Sequence, residues 1–305
     1  MRLVTYRLTA ASEGRLGIVH GGLVIDVEKL GATTGTRFPA TMLDLIDQGP
    51  DALAALDRAL KETDGKRAPG IAVPVENARM LAPIPRPRKN IFGIGLNYVE
   101  HVAESARTLD TSKDLPTKPV VFSKPPTSII ADGEPIQHNA AMTQQLDWEV
   151  ELAVIIGKRA TRIRVEDAMS HVFGYSVIND VSARDNRRAG QWIFSKGQDS
   201  YCPFGPAIVT ADEIPDPHNL TLWLKKNGEE KQRSNTKHLL FNIPALIADI
   251  SSGISLEPGD IIATGTPAGV GAGRDPQEWM WPGDVIECGV DGIGVLRNPV
   301  VKIGE

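Results

Sequence analysis

The chain has 305 residues, 41% hydrophobic and 23% charged, which excludes a disordered or fibrous protein and leaves material for one large or two unequal globular domains. Lysine plus arginine number 33 against 38 aspartate plus glutamate, so a formal charge of -5 gives no basic footprint for nucleic acid or an acidic membrane. A small molecule is the expected partner. Cys202 and Cys288, the two cysteines, make neither a disulfide framework nor a thiolate metal cage, so a reducing cytoplasm is the expected compartment.

The opening stretch alternates charge, glycine and short apolar runs and lacks the continuous apolar core of a signal peptide, so an unexported protein is expected. No run approaches the roughly 18 apolar residues of a membrane span. Residues 1–80 predict a small α+β domain: two short strands around Leu16–Val27 with His20-Gly21-Gly22 at the turn, then a helix over Thr41–Lys61. Pro83, Pro85 and Pro87 remove backbone donors at alternate positions and predict an extended connection, placing a boundary near residue 81 with a larger domain over 81–305.

From Asn90 onward, short Val/Ile-rich runs predict strands at Val120–Phe122, Glu149–Ile156, Tyr175–Asn179, Ile261–Thr264 and Val285–Gly289. Helices are predicted at Val165–Val172 and Ile243–Ile250, the second with Pro244 near its start, where a missing N–H costs least. The regular βαβ alternation of a parallel Rossmann sheet is missing, so the class is α+β and β-dominated.

The segment Asp147-Trp-Glu-Val-Glu151 carries the first chemical signal. At period two, Asp147, Glu149 and Glu151 share one strand face, while Trp148, Val150, Leu152 and Val154 occupy the other. A charged edge strand guarded against aggregation also has this pattern. About 30 residues on, by the same period-two reading, a second strand ends in Asn179-Asp180, with Arg184-Asp185 close behind, which is poor packing material. Hard oxygen ligands from two neighbouring strands suit Mg²⁺, Mn²⁺ or Ca²⁺, and no Cys/His spacing supports zinc.

In Asn97-Tyr-Val-Glu-His101-Val-Ala-Glu104, helical geometry puts His101 and Glu104 on one face. A carboxylate on one imidazole nitrogen orients the ring and leaves the other nitrogen to take a proton, so the pair is a candidate general base; an incidental surface pair fits as well. Lys196 follows an apolar run and precedes a glycine, either an exposed loop lysine or an ammonium beside a site. Thr264–Gly271 follows a strand and offers backbone N–H groups and the Thr266 hydroxyl to an anion, but lacks the ending of a P-loop. Gly93-Ile-Gly95 is a fragment of a dinucleotide fingerprint and reads as a turn. His20, His138, His171, His218 and His238 show no ligand spacing and read as structural or solvated.

Five ordered segments, Gly95–Glu104, Asp147–Glu151, Asn179–Asp185, Ser195-Lys196 leading to Cys202–Pro206, and Pro258–Gly271, together resemble the fumarylacetoacetate hydrolase family over roughly residues 80–300. The resemblance implies a mixed β-sandwich roll behind a small N-terminal α+β domain, a homodimer, and a divalent metal held by Glu149, Glu151 and Asp180. It also implies a lid carrying the His101/Glu104 dyad and a catalytic Lys196. Arg184, Thr266, Lys124 and Tyr98 are candidate substrate contacts. Many members follow the lysine with Ser/Thr-Phe-Asp; this chain has Gly197-Gln198-Asp199, a departure expected to alter substrate choice.

The expected activity is metal-dependent hydrolysis of a C–C bond in a small acylpyruvate or β-diketo acid: His101 deprotonates water, and the metal with Lys196 stabilises the departing enolate. The same scaffold suits decarboxylation of oxaloacetate or isomerisation of a hydroxymuconate-type diacid, and a non-catalytic metal-binding protein is the alternative from another class.

Overall fold

A long mixed sheet runs through the molecule, which the computed structural model describes over residues 1–63, 70–108 and 114–304. Its strand order is Ala72–Pro74, Leu23–Asp26, Arg15–His20, Arg2–Arg7, Cys202–Thr210, Val172–Asn179, Val150–Ile156, Ile261–Ala263, Ile91–Gly95 and Val120–Lys124. The N-terminal strand Arg2–Arg7 thus lies antiparallel to Cys202–Thr210, with Leu3 opposite Ile208. A second sheet orders Glu229–Asn235, Thr221–Lys226, Val285–Val290, Gly294–Lys302 and Ile136–His138. Among the described residues no helix is long and apolar enough to cross a membrane.

Strand Val150–Ile156 is buried at all seven positions and paired on both edges, with Val172–Asn179 and with Ile261–Ala263. Val150, Leu152, Val154 and Ile156 join the core shared with Leu222, Leu224, Ile286 and Leu296 of the second sheet, so the two sheets pack as a sandwich. Ala153 and Ile155 point the other way, into a core closed by Leu30 of helix Val27–Thr34 and by Leu45, Ile46 and Leu56 of helix Met42–Glu62. Each of the valine, leucine and isoleucine side chains contributes about 1.5–3 kcal/mol on burial. A slip of one residue would put Glu151 into the sandwich core, so packing fixes the register that aims the carboxylates.

The predicted hairpin forms as Arg15–His20 and Leu23–Asp26, and the predicted helix as Met42–Glu62, capped by Thr41 and bent at Gly49 before Pro50. Helix Ile243–Gly253 starts at the Asn242 cap with Pro244 in its first turn. The predicted helix at Val165–Val172 is instead the 3-10 segment Val165–His171, because Val172 already belongs to a strand. Strand Cys202–Thr210 is not predicted, since Pro203 and Pro206 weigh against a strand. The ladder shifts register opposite Ser176, whose hydroxyl donates to the Gly205 and Ala207 carbonyls at 3.2 and 2.8 Å and satisfies acceptors that the shifted ladder leaves over.

Candidate functional site

Glu149 immediately precedes one central strand and Asp180 immediately follows its neighbour. The pairing of Val150 with Asn179 sets them side by side, with Asp180 N–H donating to the Glu149 carbonyl at 2.8 Å. Glu151 is one residue into the strand, opposite Ile178. One oxygen from each of Glu149, Glu151 and Asp180 lies within 4.8 Å of the others, and all three side chains are buried.

Three cations compensate this cluster. Lys196 Nζ donates to Glu149 Oε2 at 2.8 Å, Asp180 Oδ2 at 2.6 Å and Ser182 Oγ at 2.8 Å. Lys124 Nζ pairs with the other Asp180 oxygen. Arg184 bridges Asp147 Oδ2 at 2.8 Å and Glu149 Oε1 at 2.6 Å. Burial alone would raise the Glu149 carboxyl, but Lys196, Arg184 and His101 hold it below the ordinary carboxylate range. Glu151 is pushed well above that range by burial and by the neighbouring Asp180 and Glu149 charges. Among the described residues Glu151 makes no ion pair, and its hydrogen bond comes from Gly265 N–H at 2.8 Å. Converging hard oxygens with one carboxylate still in need of positive charge fit a small divalent cation. Mg²⁺ and Mn²⁺ suit this donor set, and Ca²⁺ shares its oxygen chemistry.

Asp147 leaves the acidic face that strict alternation assigns it. Its Oδ1 accepts from Gly271 N–H at 2.6 Å and Trp148 N–H at 2.8 Å, and its Oδ2 from Ala272 N–H at 3.0 Å. The strand is interrupted between Asp147 and Val150, so period-two counting fails across that gap. The glycine-rich stretch after Thr264 does bind anions, but they are the chain's own: Gly265 N–H meets Glu151, Gly269 N–H meets Glu104, and Gly271 N–H meets Asp147.

His101 lies on helix Val99–Thr108 with Nδ1 at 3.1 Å from Glu104 Oε2 and Nε2 at 3.4 Å from Ser105 Oγ. At 5% and 6% exposure, His101 and Glu104 are not a solvated surface pair. An ionised Glu104 only accepts, so Nδ1 carries the proton in the neutral ring and Nε2 is the basic nitrogen. Glu104 Oε1 accepts from Gly269 N–H at 3.0 Å, and Gly273 backs onto the same carboxylate: a Cβ there would fall 2.1 Å from Glu104 Cδ.

One cavity is walled by His101, Ser105, Glu149, Arg184, Lys196 and Thr266, with Arg187, Trp192, Ser195 and the Ile94–Leu96 backbone turn completing it. His101 of the dyad, Lys196 and Glu149 of the carboxylate cluster therefore meet at one cavity. Thr266 reaches the wall with its hydroxyl already engaged, donating to the Val150 carbonyl and accepting from Gln232. Lys124 is fully buried and braces Asp180, and Tyr98 is buried in the sandwich core; neither lines the cavity, contrary to their reading as substrate contacts. Gly197, Gln198 and Asp199 also lie outside the wall. Arg187 and Trp192 are missed by sequence reasoning, because Arg187-Arg188-Ala-Gly-Gln-Trp192 resembles an exposed turn.

Residues 90–301 match the model of the fumarylacetoacetate (FAA) hydrolase C-terminal domain. The mitochondrial oxaloacetate tautomerase fahd2 of Xenopus laevis is 39% identical over 99% of this chain and 90% of its own. Oxaloacetate tautomerase YisK of Bacillus subtilis is 38% identical over 92% of this chain and 95% of its own. Among solved structures, the fumarylacetoacetate hydrolase of Exiguobacterium antarcticum superposes with a TM-score of 0.81 at 35% identity, over 99% of this chain and 100% of that one. The Sphingobium maleylpyruvate hydrolase, in complex with manganese(II) and pyruvate, gives 0.78 at 30% identity, over 99% of each chain. Matched across its β-sandwich and similar to such relatives along nearly its full length, the chain belongs to the fumarylacetoacetate hydrolase family, whose members are enzymes.

Proposed function

We propose that this protein interconverts the keto and enol forms of a small 2-oxo acid of the oxaloacetate kind, with a divalent cation held by Glu149, Glu151 and Asp180. The observation that carries this reading is that His101, oriented by Glu104, shares one cavity with Glu149 and Lys196. The cation, when bound, draws electron density from the 2-oxo group. His101 Nε2 removes a proton from the carbon beside that group, and Glu104 stabilises the resulting imidazolium through Nδ1–H. The imidazolium then returns the proton to the enolate oxygen: a C–H bond is broken, an O–H bond is formed, and no atom is lost. Lys196 and Arg184 keep Glu149 ionised and fixed, and the buried dyad excludes bulk water from the transfer. The tautomerase names of two relatives that align along nearly all of the chain support this reaction class.

C–C hydrolysis of an acylpyruvate is the second reading, favoured by the likeness to a maleylpyruvate hydrolase holding manganese(II) and pyruvate. There His101 takes its proton from water instead of carbon. The deciding experiment strips the protein of metal, restores Mn²⁺, and follows enol absorbance and products with oxaloacetate and with acylpyruvates. Tautomerisation predicts metal-dependent interconversion of oxaloacetate without carbon release, lost in His101→Ala. Pyruvate plus a free acid from an acylpyruvate would install the hydrolase, and carbon dioxide from oxaloacetate a decarboxylase. Mn²⁺ binding with no conversion of either would leave a non-catalytic metal-binding protein.

A further inference from the structure

The proton that His101 moves leaves carbon and arrives at oxygen, and the two ends of that path lie in different directions. A C–H bond beside an oxo group breaks while it stands roughly perpendicular to the carbonyl plane, so that its electrons enter the π system. The oxygen takes its proton near that plane, along a lone pair. The imidazole is pinned by Glu104 at Nδ1, 3.1 Å away, and Glu104 is itself held by Gly269 N–H at 3.0 Å. A ring fixed in this way presents Nε2 in one direction, so a second group is needed to carry the proton into the plane.

Among the described residues three side-chain hydroxyls line the cavity, those of Ser105, Ser195 and Thr266. Thr266 is spent on the Val150 carbonyl and Gln232, and Ser195 makes no hydrogen bond to the base. Ser105 Oγ stands 3.4 Å from His101 Nε2, one turn further along helix Val99–Thr108, and the residue is buried. A serine inside a helix ordinarily donates to the carbonyl four residues back. Here, among the described residues, the hydroxyl's hydrogen-bond partner is the ring nitrogen. A hydroxyl has one proton to give and two lone pairs to receive with, so Ser105 can accept from Nε2–H while its own proton faces the cavity. We infer that Ser105 is a proton relay between His101 and the enolate oxygen. The Nε2–H bond breaks as a new Oγ–H bond forms, the original Oγ–H bond breaks as the enol O–H bond forms, and the serine ends as it began. This rests on the reading of the site as a keto–enol tautomerase.

The test compares the Mn²⁺-loaded native protein with Ser105→Ala, a substitution that removes one oxygen and improves the local helix propensity. Enol formation from oxaloacetate is followed by absorbance, with hydrogen and with deuterium at the carbon beside the oxo group. In Ser105→Ala the rate falls about 10- to 100-fold, a part of the 10²–10⁴-fold that acid–base catalysis supplies. The isotope effect on that slowed rate is near unity, because the slow step is now proton delivery to oxygen and no longer C–H cleavage. A native rate in Ser105→Ala overturns the relay. So does a slowed variant with a primary isotope effect clearly above unity, since Ser105 would then serve only to place the base. The two readings separate: a native protein that forms no enol above the uncatalysed rate sinks the tautomerase and the relay with it. An active native protein matched by Ser105→Ala sinks the relay alone.

Discussion

Gly273→Ala adds one methyl group behind the His101/Glu104 pair and nothing in the cavity. The new Cβ would stand 2.1 Å from Glu104 Cδ and Oε1 and 2.3 Å from Cγ. Ordinary carbon contacts lie at about 3.5–4.0 Å, so one side must move by roughly 1.5 Å. The glycine loop is the stiffer partner, because Gly271 and Ala272 donate to Asp147, which is itself tied to Arg184. Glu104 must therefore retreat. A shift of that size breaks its 3.0 Å bond from Gly269 and stretches the 3.1 Å contact with His101 beyond hydrogen-bond range. General-base catalysis is worth about 10²–10⁴-fold, and a base that keeps its imidazole but loses its orienting carboxylate should forfeit part of it. The expected fall in kcat is about 10- to 100-fold, or about 1.4–2.7 kcal/mol of barrier, with Mn²⁺ affinity unaltered. The assay is steady-state turnover of oxaloacetate enol by Gly273→Ala, Glu104→Ala and the double variant. If the methyl acts through Glu104, the double variant is no slower than Glu104→Ala. Native turnover in Gly273→Ala, or strictly additive losses, would refute the coupling.

Lys196→Met leaves Glu149 and Asp180 short of one buried partner, so the metal-free protein should lose about 3–5 kcal/mol. Added Mn²⁺ should raise the variant's melting temperature more than the native one's; equal melting of the two metal-free proteins would show that the ammonium does not hold the cluster together. His218 Nε2 accepts from Ile243 N–H at the start of helix Ile243–Gly253, and burial, opposed by Asp216, lowers its pKa below the ordinary 6.5. Between the lowered value and 6.5 the unfolded chain binds more protons than the folded one, so stability rises with pH across that window and is lowest below it. His218→Gln should flatten the melting-temperature profile there, and parallel profiles would exclude His218 as the source.

The carboxylate pair was legible because a strand buried on both faces has one register, and Glu149 and Glu151 keep its period. Asp147 was not, because side chains interrupt the ladder: Asp147 Oδ1 takes Trp148 N–H and Asn179 Oδ1 takes Glu149 N–H. The His101/Glu104 spacing was readable from local helix geometry. Its burial was not, since Gly269 and Gly273 arrive from far along the chain. Lysines show charge in a sequence but not its destination. Lys124 reads as a substrate contact and Lys196 as a catalytic group, yet both are engaged by Asp180. Arg187 carries the opposite lesson: a turn-like segment becomes a cavity wall once Trp192 packs on Gly95.

The pairing of Leu3 with Ile208 also has a consequence for how the molecule is made. Arg2 and Leu3 cannot find these sheet partners until residues beyond 200 have been synthesised. The Thr5–Arg7 half of their strand can pair early with Arg79–Leu81, but the Arg2–Leu3 end must wait, in a topology whose distant contacts fold slowly and expose strands to association. Cutting the chain before Asn90 would not release a self-sufficient sandwich either. It would strip Arg2–Leu3 from Ile208–Val209 and open that end of an interior strand, buried at nearly every position, leaving backbone groups of the kind that recruit another chain.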